Sequence, residues 1–370
     1  MSRIGFVRLS LMVVLTLTAH QLWASTSLTY AVGTCRPKLP SFSTISAALV
    51  ATPPANTIMV CPGIYPEQVV ITQPVILEAT TDGDSGQVVI AVPSDGLPII
   101  ATANDGYWIA PQVLVSNTTG SVTISDITID GAGAFTRTAY QVGVCLESAS
   151  SASPSITLNH VTTRNQEPSA PDAFGVGVFI NGGATDASVT VENSSIHDFT
   201  TAGIQTEAGS GALVATIKGN YVSTGPSVLQ TSTTISGIFI EGASTATITN
   251  NSAVGGYAGI LVYNSPGSTS GNTLTGNQYG ILTGADGMPV TGNRIFNSSV
   301  AGISMFTTQA TITGNSITNA AAGINFQCFV NLNVNTNTII DVSTGLLNVQ
   351  PLVTSSNTYF NVATIRSAGC

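Results

Sequence analysis

Glu207 and Glu241 are the carboxylates of this chain whose placement could carry chemistry. Each lies four residues after a glycine, Gly203 or Gly237, with Gln205 and Phe239 two residues after the same glycines. If those glycines open equivalent strands of neighbouring coils, both carboxylates face outward on backbones about 4.8 Å apart. Two acids that close repel when both are ionised, so one holds its proton longer and an acid and base pair becomes possible. The spacing also fits a retaining glycoside cleavage or a shared cation. The same outward positions elsewhere hold Cys145 and Glu147, Phe179 and Asn181, Leu261 and Tyr263, and Ser304 and Phe306. Glu147, Phe179, Gln205, Phe239, Tyr263 and Phe306 thus form a candidate ligand face, because a sugar ring needs a flat apolar surface with acceptors beside it. The plainer alternative is a solvated face whose aromatics lie under inserted loops.

Other reactive side chains point nowhere. His160 and His197 lack a metal-ligand partner at useful spacing, and Met59, Met288 and Met305 are too scattered for a copper site. The stretch Asn181 to Asp186 resembles a calcium-binding nonapeptide, but a single copy reads as a loop. No metal and no resident cofactor is expected. The five cysteines read as disulfide material in an exported chain. Cys35 and Cys61, on either side of a short helix, are expected to pair. Cys328 lies within reach of Cys370, which leaves Cys145 as a buried free thiol.

The elements that must position these residues come from a repeat. Gly237, Gly259, Gly280, Gly302, Gly323 and Gly345 follow one another at 22, 21, 22, 21 and 22 residues, and Asn251, Asn272, Asn293, Asn315 and Asn337 at 21, 21, 22 and 22. A period of this size marks a solenoid, whose coils bury their apolar faces only against each other. After each glycine comes an aliphatic residue (Ile238, Ile260, Ile281, Ile303, Ile324, Leu346), with apolar residues again two further on. That is the period of a strand with one buried face. An asparagine at the same place in each coil can bond amide to amide along the stack, and glycine suits a corner where a side chain would obstruct the turn or strain φ. Asp126, Asn159, Asn193 and Asn220 are expected to extend the asparagine register toward the N-terminus, with loops inserted at 163–174 and 223–234.

The copies "TITNNSAVGGYAGILV", "TLTGNQYGILT", "VTGNRIFNSSVAGISM" and "TITGNSITNAAAGINF" resemble the right-handed parallel β-helix of the pectin-lyase-like superfamily, in its periplasmic or exported repeat form. The resemblance implies an all-β, single-stranded solenoid with a short N-terminal cap helix, and covers most of the chain. The segment "TISAAL…IMVCPGIYPEQVVITQPVILEA" is similar to the opening of pectin methylesterases. The fold occurs with and without catalysis. The acids and His-Gly of polygalacturonases have no match in the slots before the turn glycines. Neither the Asp-rich calcium site with an arginine base of pectate lyases nor the Asp, Gln and Arg set of pectin methylesterases is present.

Residues 1–24 read as a secretion signal: Arg3 and Arg8, an apolar run from Leu9 to Ala19, and a cut after Ala24. The run is too short to span a bilayer and no second one follows, so no membrane span is expected after cleavage. Residues 25–80 should form the N-terminal cap and first coils, 81–348 the β-helix, and 349–370 a C-terminal cap. Without Arg3 and Arg8 the chain holds 7 basic residues against 18 acidic ones, a net charge of −11. Such a surface repels nucleic acid and anionic membranes. The sequence therefore predicts a secreted or periplasmic monomer that is a non-catalytic glycan-binding or cell-surface protein. The alternatives are a polysaccharide lyase or glycoside hydrolase on the same fold, and a purely structural or adhesive solenoid.

Overall fold

The computed structural model describes residues 28–80, 85–133, 138–147, 154–168, 173–207, 209–225, 235–307, 309–326, 332–349 and 356–367. The signal segment and the expected Cys328–Cys370 pair lie outside them. The chain winds as a parallel β-helix with three faces. In one coil, Thr245–Thr249 forms the first face, Ser252–Val254 the second and Ala258–Tyr263 the third. The next coil pairs with each in parallel, as Thr247 with Ser268, Ser252 with Thr273 and Ile260 with Ile281. The first faces make one sheet. The second and third join in another, because Arg294–Met305, Ser316–Phe326 and Thr338–Leu347 each bend through both.

The inward aliphatics predicted from the repeat, Ile238 through Leu346, are all fully buried in one continuous core. The turn glycines do not have the left-handed φ values seen at other corners; they are needed for space. At Gly259 a Cβ would stand 2.9 Å from the carbonyl oxygen of Gly280, and at Gly280 2.5 Å from that of Gly302. Of the two reasons that sequence offers for glycine here, obstruction is the operative one.

The asparagine ladder forms. Asn251, Asn272, Asn293 and Asn315 each donate their backbone N–H and side-chain Nδ2 to the Oδ1 of the next ladder asparagine at 2.9–3.0 Å, and Asn337 does the same to Asn357 at 2.9 Å. The residue before each rung, from Gly219, Asn250 and Gly271 to Gly292, Gly314 and Thr336, takes the left-handed conformation, which explains the recurrent Gly-Asn step. Toward the N-terminus the expected register holds at Asn220 but is one residue off at Asp126 and Asn193 and two off at Asn159. Asp126 and Asn193 occupy this left-handed corner, and Asn159 pairs with Glu192 on the first face. The rung positions there are Ile127, Val161 and Ser194, so the amide ladder starts at Asn220, capped by Ser194, whose backbone N–H donates to Asn220 Oδ1.

The cap helix is Ile45–Leu49, with Ile45, Ala48 and Leu49 buried. It is capped by Thr44, whose side chain accepts the Ala47 N–H, and Glu67 accepts from the N–H groups of Ile45 and Ser46 at 2.8 and 2.9 Å. Cys35 and Cys61 are joined by a disulfide beside it, and Cys145 is free and buried. Peptide mapping without reduction should recover the Cys35 and Cys61 peptides as one linked species; separate alkylated peptides would refute the bond. At the other end the stack runs past the glycine motif. Thr358–Ser367 pairs in parallel with Thr338–Leu347 as a further coil, so this part of the expected cap is solenoid.

Candidate functional site

The outward row of the third face runs Leu114, Cys145, Phe179, Gln205, Phe239, Leu261, Leu282 and Ser304, one residue per coil. Its first half is not open. Residues 97–107 fold back across it, with Ala101–Thr102 antiparallel to Trp108–Ile109. Ala103, Ile109, Leu114, Tyr140, Cys145 and Phe179 pack there as an outer apolar cluster. Phe179 is fully buried, so its ring packs the crossing segment and cannot receive a ligand, contrary to expectation. Burial also raises the Cys145 thiol well above its ordinary pKa, which keeps it an inert neutral side chain.

The crossing segment ends in a turn that makes one wall of a cleft of about 330 Å³, lined by Asn104, Asp105, Tyr140, Gln205, Glu207, Phe239 and Glu241. Glu207 sits beneath the turn, 7% exposed. Its Oε2 accepts the Asn104 backbone N–H at 3.0 Å, and Gln205 Nε2 approaches Oε1 at 3.4 Å. Asn104 Nδ2 donates to the Gly182 carbonyl at 2.7 Å, Asn181 Nδ2 to that of Thr102 at 3.0 Å, and the Tyr140 hydroxyl to Asp105 Oδ2 at 3.2 Å. The turn is thus pinned by the strands it crosses. Burial, then the charge of Asp105, and last that of Glu241 push the Glu207 carboxyl up to about 7, against the pull of the Asn104 and Asp105 N–H groups.

The two glutamates share a cleft, as their spacing predicts, but are not equivalent. The register holds through Thr206 and Ile240 and goes no further; the Glu241 N–H donates instead to Thr206 Oγ1 at 2.9 Å, and Glu241 is exposed. Environment more than mutual repulsion therefore separates them. Glu147 lies two coils before Glu207, outside the cleft lining, where burial raises its pKa against a 3.5 Å contact from Asn181 Nδ2.

Beyond the cleft the third face carries half-buried rings. Phe239 and Tyr263 meet at 6.0 Å and Tyr263 and Phe306 at 5.2 Å between centroids, while Tyr257 and Tyr279 meet at 5.2 Å. Leu261 and Leu282 pack among them. Phe306 reaches Tyr263 across the coil between them because that coil has Gly284 at this place, where a Cβ would stand 2.2 Å from the Phe306 ring. Of the expected ligand residues, Gln205, Phe239, Tyr263 and Phe306 therefore share one strip that runs on from the two glutamates. Sequence reasoning missed Asn104, Asp105 and Tyr140. The signal available was Asn104-Asp105-Gly106, a turn between two apolar stretches in the irregular coils.

The family described as right handed beta helix region matches residues 112–287 and 215–362. The chain belongs to the right-handed β-helix family. Among solved structures it is similar to a GH136 lacto-N-biosidase from Eubacterium ramulus, with a TM-score of 0.66, 11% identity, and coverage of 91% of this chain and 68% of that one. It is also similar to a double mutant of the periplasmic alginate epimerase AlgG, at TM-score 0.50 and 13% identity over 84% and 73% of the two chains. A third likeness is to the Dettilon tailspike protein, at 0.50 and 16% over 83% and 62%. At these identities the likenesses establish the parallel β-helix fold and no activity. No curated protein matches the chain by sequence. In this β-helix no helix among the described residues is long and apolar enough to cross a membrane.

Proposed function

We propose that this β-helix is an exported glycan-binding protein and that the strip from the Glu207 cleft through Phe239 and Tyr263 to Phe306 receives the sugar chain. The observation that carries this is the half-exposed aromatic row continuing, one ring per site, from a polar cleft whose carboxylates can accept sugar hydroxyls. The Cys35–Cys61 disulfide supports export to an oxidising compartment, and two of the similar structures are named for carbohydrate chemistry.

The test is a screen of immobilised glycans followed by titration of the best ligand. Phe239→Ala and Tyr263→Ala should each weaken binding about tenfold, the loss of roughly one stacking contact. Variants that fold and bind as the parent does would sink the reading.

A second reading, glycoside cleavage, is favoured by Glu207 alone. A carboxyl raised to about 7 can hold a proton for a leaving oxygen at neutral pH. New reducing ends or unsaturated products, absent from Glu207→Gln, would establish it. Binding without products leaves a non-catalytic protein.

A further inference from the structure

The geometry points to an uncharged sugar chain as the occupant of this cleft, with uronate polymers excluded. This rests on the glycan-binding reading and concerns which glycan enters. Three carboxylates, Asp105, Glu207 and Glu241, line the cleft, and Glu147 stands two coils away. No lysine or arginine of the described residues lies near them. Arg164 is held by Asp130 at 2.8 Å on the second face. Lys218 sits on the first face opposite Glu192. Arg294 stacks over Phe296 on the second face, and Arg366 belongs to the last coil. Arg36 and Lys38 belong to the N-terminal cap.

A polymer with a carboxylate on every residue would set these charges against Asp105 and Glu241 with no cation among the described residues to answer them, in a recess where screening is weaker than in bulk water. A neutral chain meets the opposite situation. Its hydroxyls can donate to the Asp105 and Glu241 carboxylates, and its ring faces can cover Phe239 and Tyr263. A further observation marks the cleft as a place where a donor is wanted. The Gln205 side chain lines it, is 4% exposed, and its Oε1 has no hydrogen-bond partner. A buried amide oxygen without a donor is costly, and a sugar hydroxyl entering beside Tyr140 could supply one after a small rotation of the amide. Gln205 is thus the specificity element, since it offers an acceptor where a uronate would need a donor.

The experiment compares neutral glycans (galactan, xylan and β-glucan oligomers) with polygalacturonate and alginate oligomers of matched length, at low and high salt, with and without calcium. The expected result is binding confined to the neutral arm, with every uronate at least tenfold weaker. That discrimination should shrink in high salt and in Glu241→Gln, and Gln205→Leu should weaken neutral binding. A uronate bound as tightly as the best neutral chain, in either calcium condition, overturns the inference and leaves the glycan-binding reading standing. Silence in both arms overturns the glycan-binding reading itself. If Gln205→Leu does not fold, Gln205→Glu serves the same purpose: a further loss of uronate binding is expected, and unchanged selectivity would count against the role assigned to Gln205.

Discussion

Asn293→Leu is expected to destabilise the protein by about 3–5 kcal/mol, with the unfolding midpoint in denaturant shifting and its slope unchanged. Asn293 is fully buried. Its Oδ1 accepts the Asn272 backbone N–H at 3.0 Å and Asn272 Nδ2 at 2.9 Å, and its Nδ2 donates to Thr269 O at 3.2 Å and Asn315 Oδ1 at 3.0 Å. Leucine has nearly the same size and supplies none of these. The Asn272 Nδ2 retains Ile248 O and Thr269 Oγ1, so the main loss is a backbone N–H stranded in the core, which costs about 1–3 kcal/mol, plus the bonds lost around it at about 1 kcal/mol each. The exposed ladder offers a contrast. Asn319 donates to Asn297 at 2.8 Å on the surface, where water can replace the partner, so Asn319→Ala should cost only about 1 kcal/mol, mainly for its left-handed backbone. If both substitutions cost the same, burial of the rungs is not what holds the stack.

The regular coils were legible because solenoid physics is local and repeated. One strand's inside-outside alternation, read at Gly259-Ile260-Leu261, fixes the same alternation in every coil in register with it, and so places Glu207, Glu241 and the aromatic row on one outer face. The early coils were harder. There the rung positions hold Ile127 and Val161, so the polar residue that looks like a rung, Asp126, is the corner residue one place before. A shift of one residue exchanges the two roles, and only the paired strands reveal it. That Phe179 could lie under a loop was the alternative reading, but which segment covers it was illegible for another reason. What covers it is residues 97–107, a segment outside the repeat whose antiparallel return at Ala101–Thr102 has no periodic signature. Non-local coverage of this kind also created the cleft, since the turn at Asn104 and Asp105 supplies a wall and desolvates Glu207. The spacing of Glu207 and Glu241 suggested equivalent positions split by mutual repulsion; the fold makes one buried acid and one exposed acid.

That asymmetry yields a pH dependence with a definite sign. The Glu207 carboxyl is raised from an ordinary value of 4.5 to about 7 in the folded chain, so between these pH values the folded state binds a proton that the unfolded state has released. The protonated carboxyl therefore contributes stability that is fully present below about pH 4.5 and is lost as pH rises through about 7. Unscreened, the loss would be about 3 kcal/mol; with the cleft open to water on one side, about 2 kcal/mol is expected between pH 5 and pH 8. Glu207→Gln cannot titrate, and its carbonyl can still accept the Asn104 N–H, so its stability should vary less over this range. Glu147, also raised by burial, contributes a slope in the same direction to both proteins, so the difference between parent and variant isolates Glu207. Thermal melts of the two at half-unit steps decide the matter, and parallel curves would show that Glu207 ionises as an ordinary surface acid does. The same group links stability to chemistry. If glycan cleavage is found, its rate must fall above about pH 7, as Glu207 loses the proton it would donate, starting where the parent's loss of stability relative to Glu207→Gln levels off. A rate limb at another pH would place the acid elsewhere, even if the melts behave as expected.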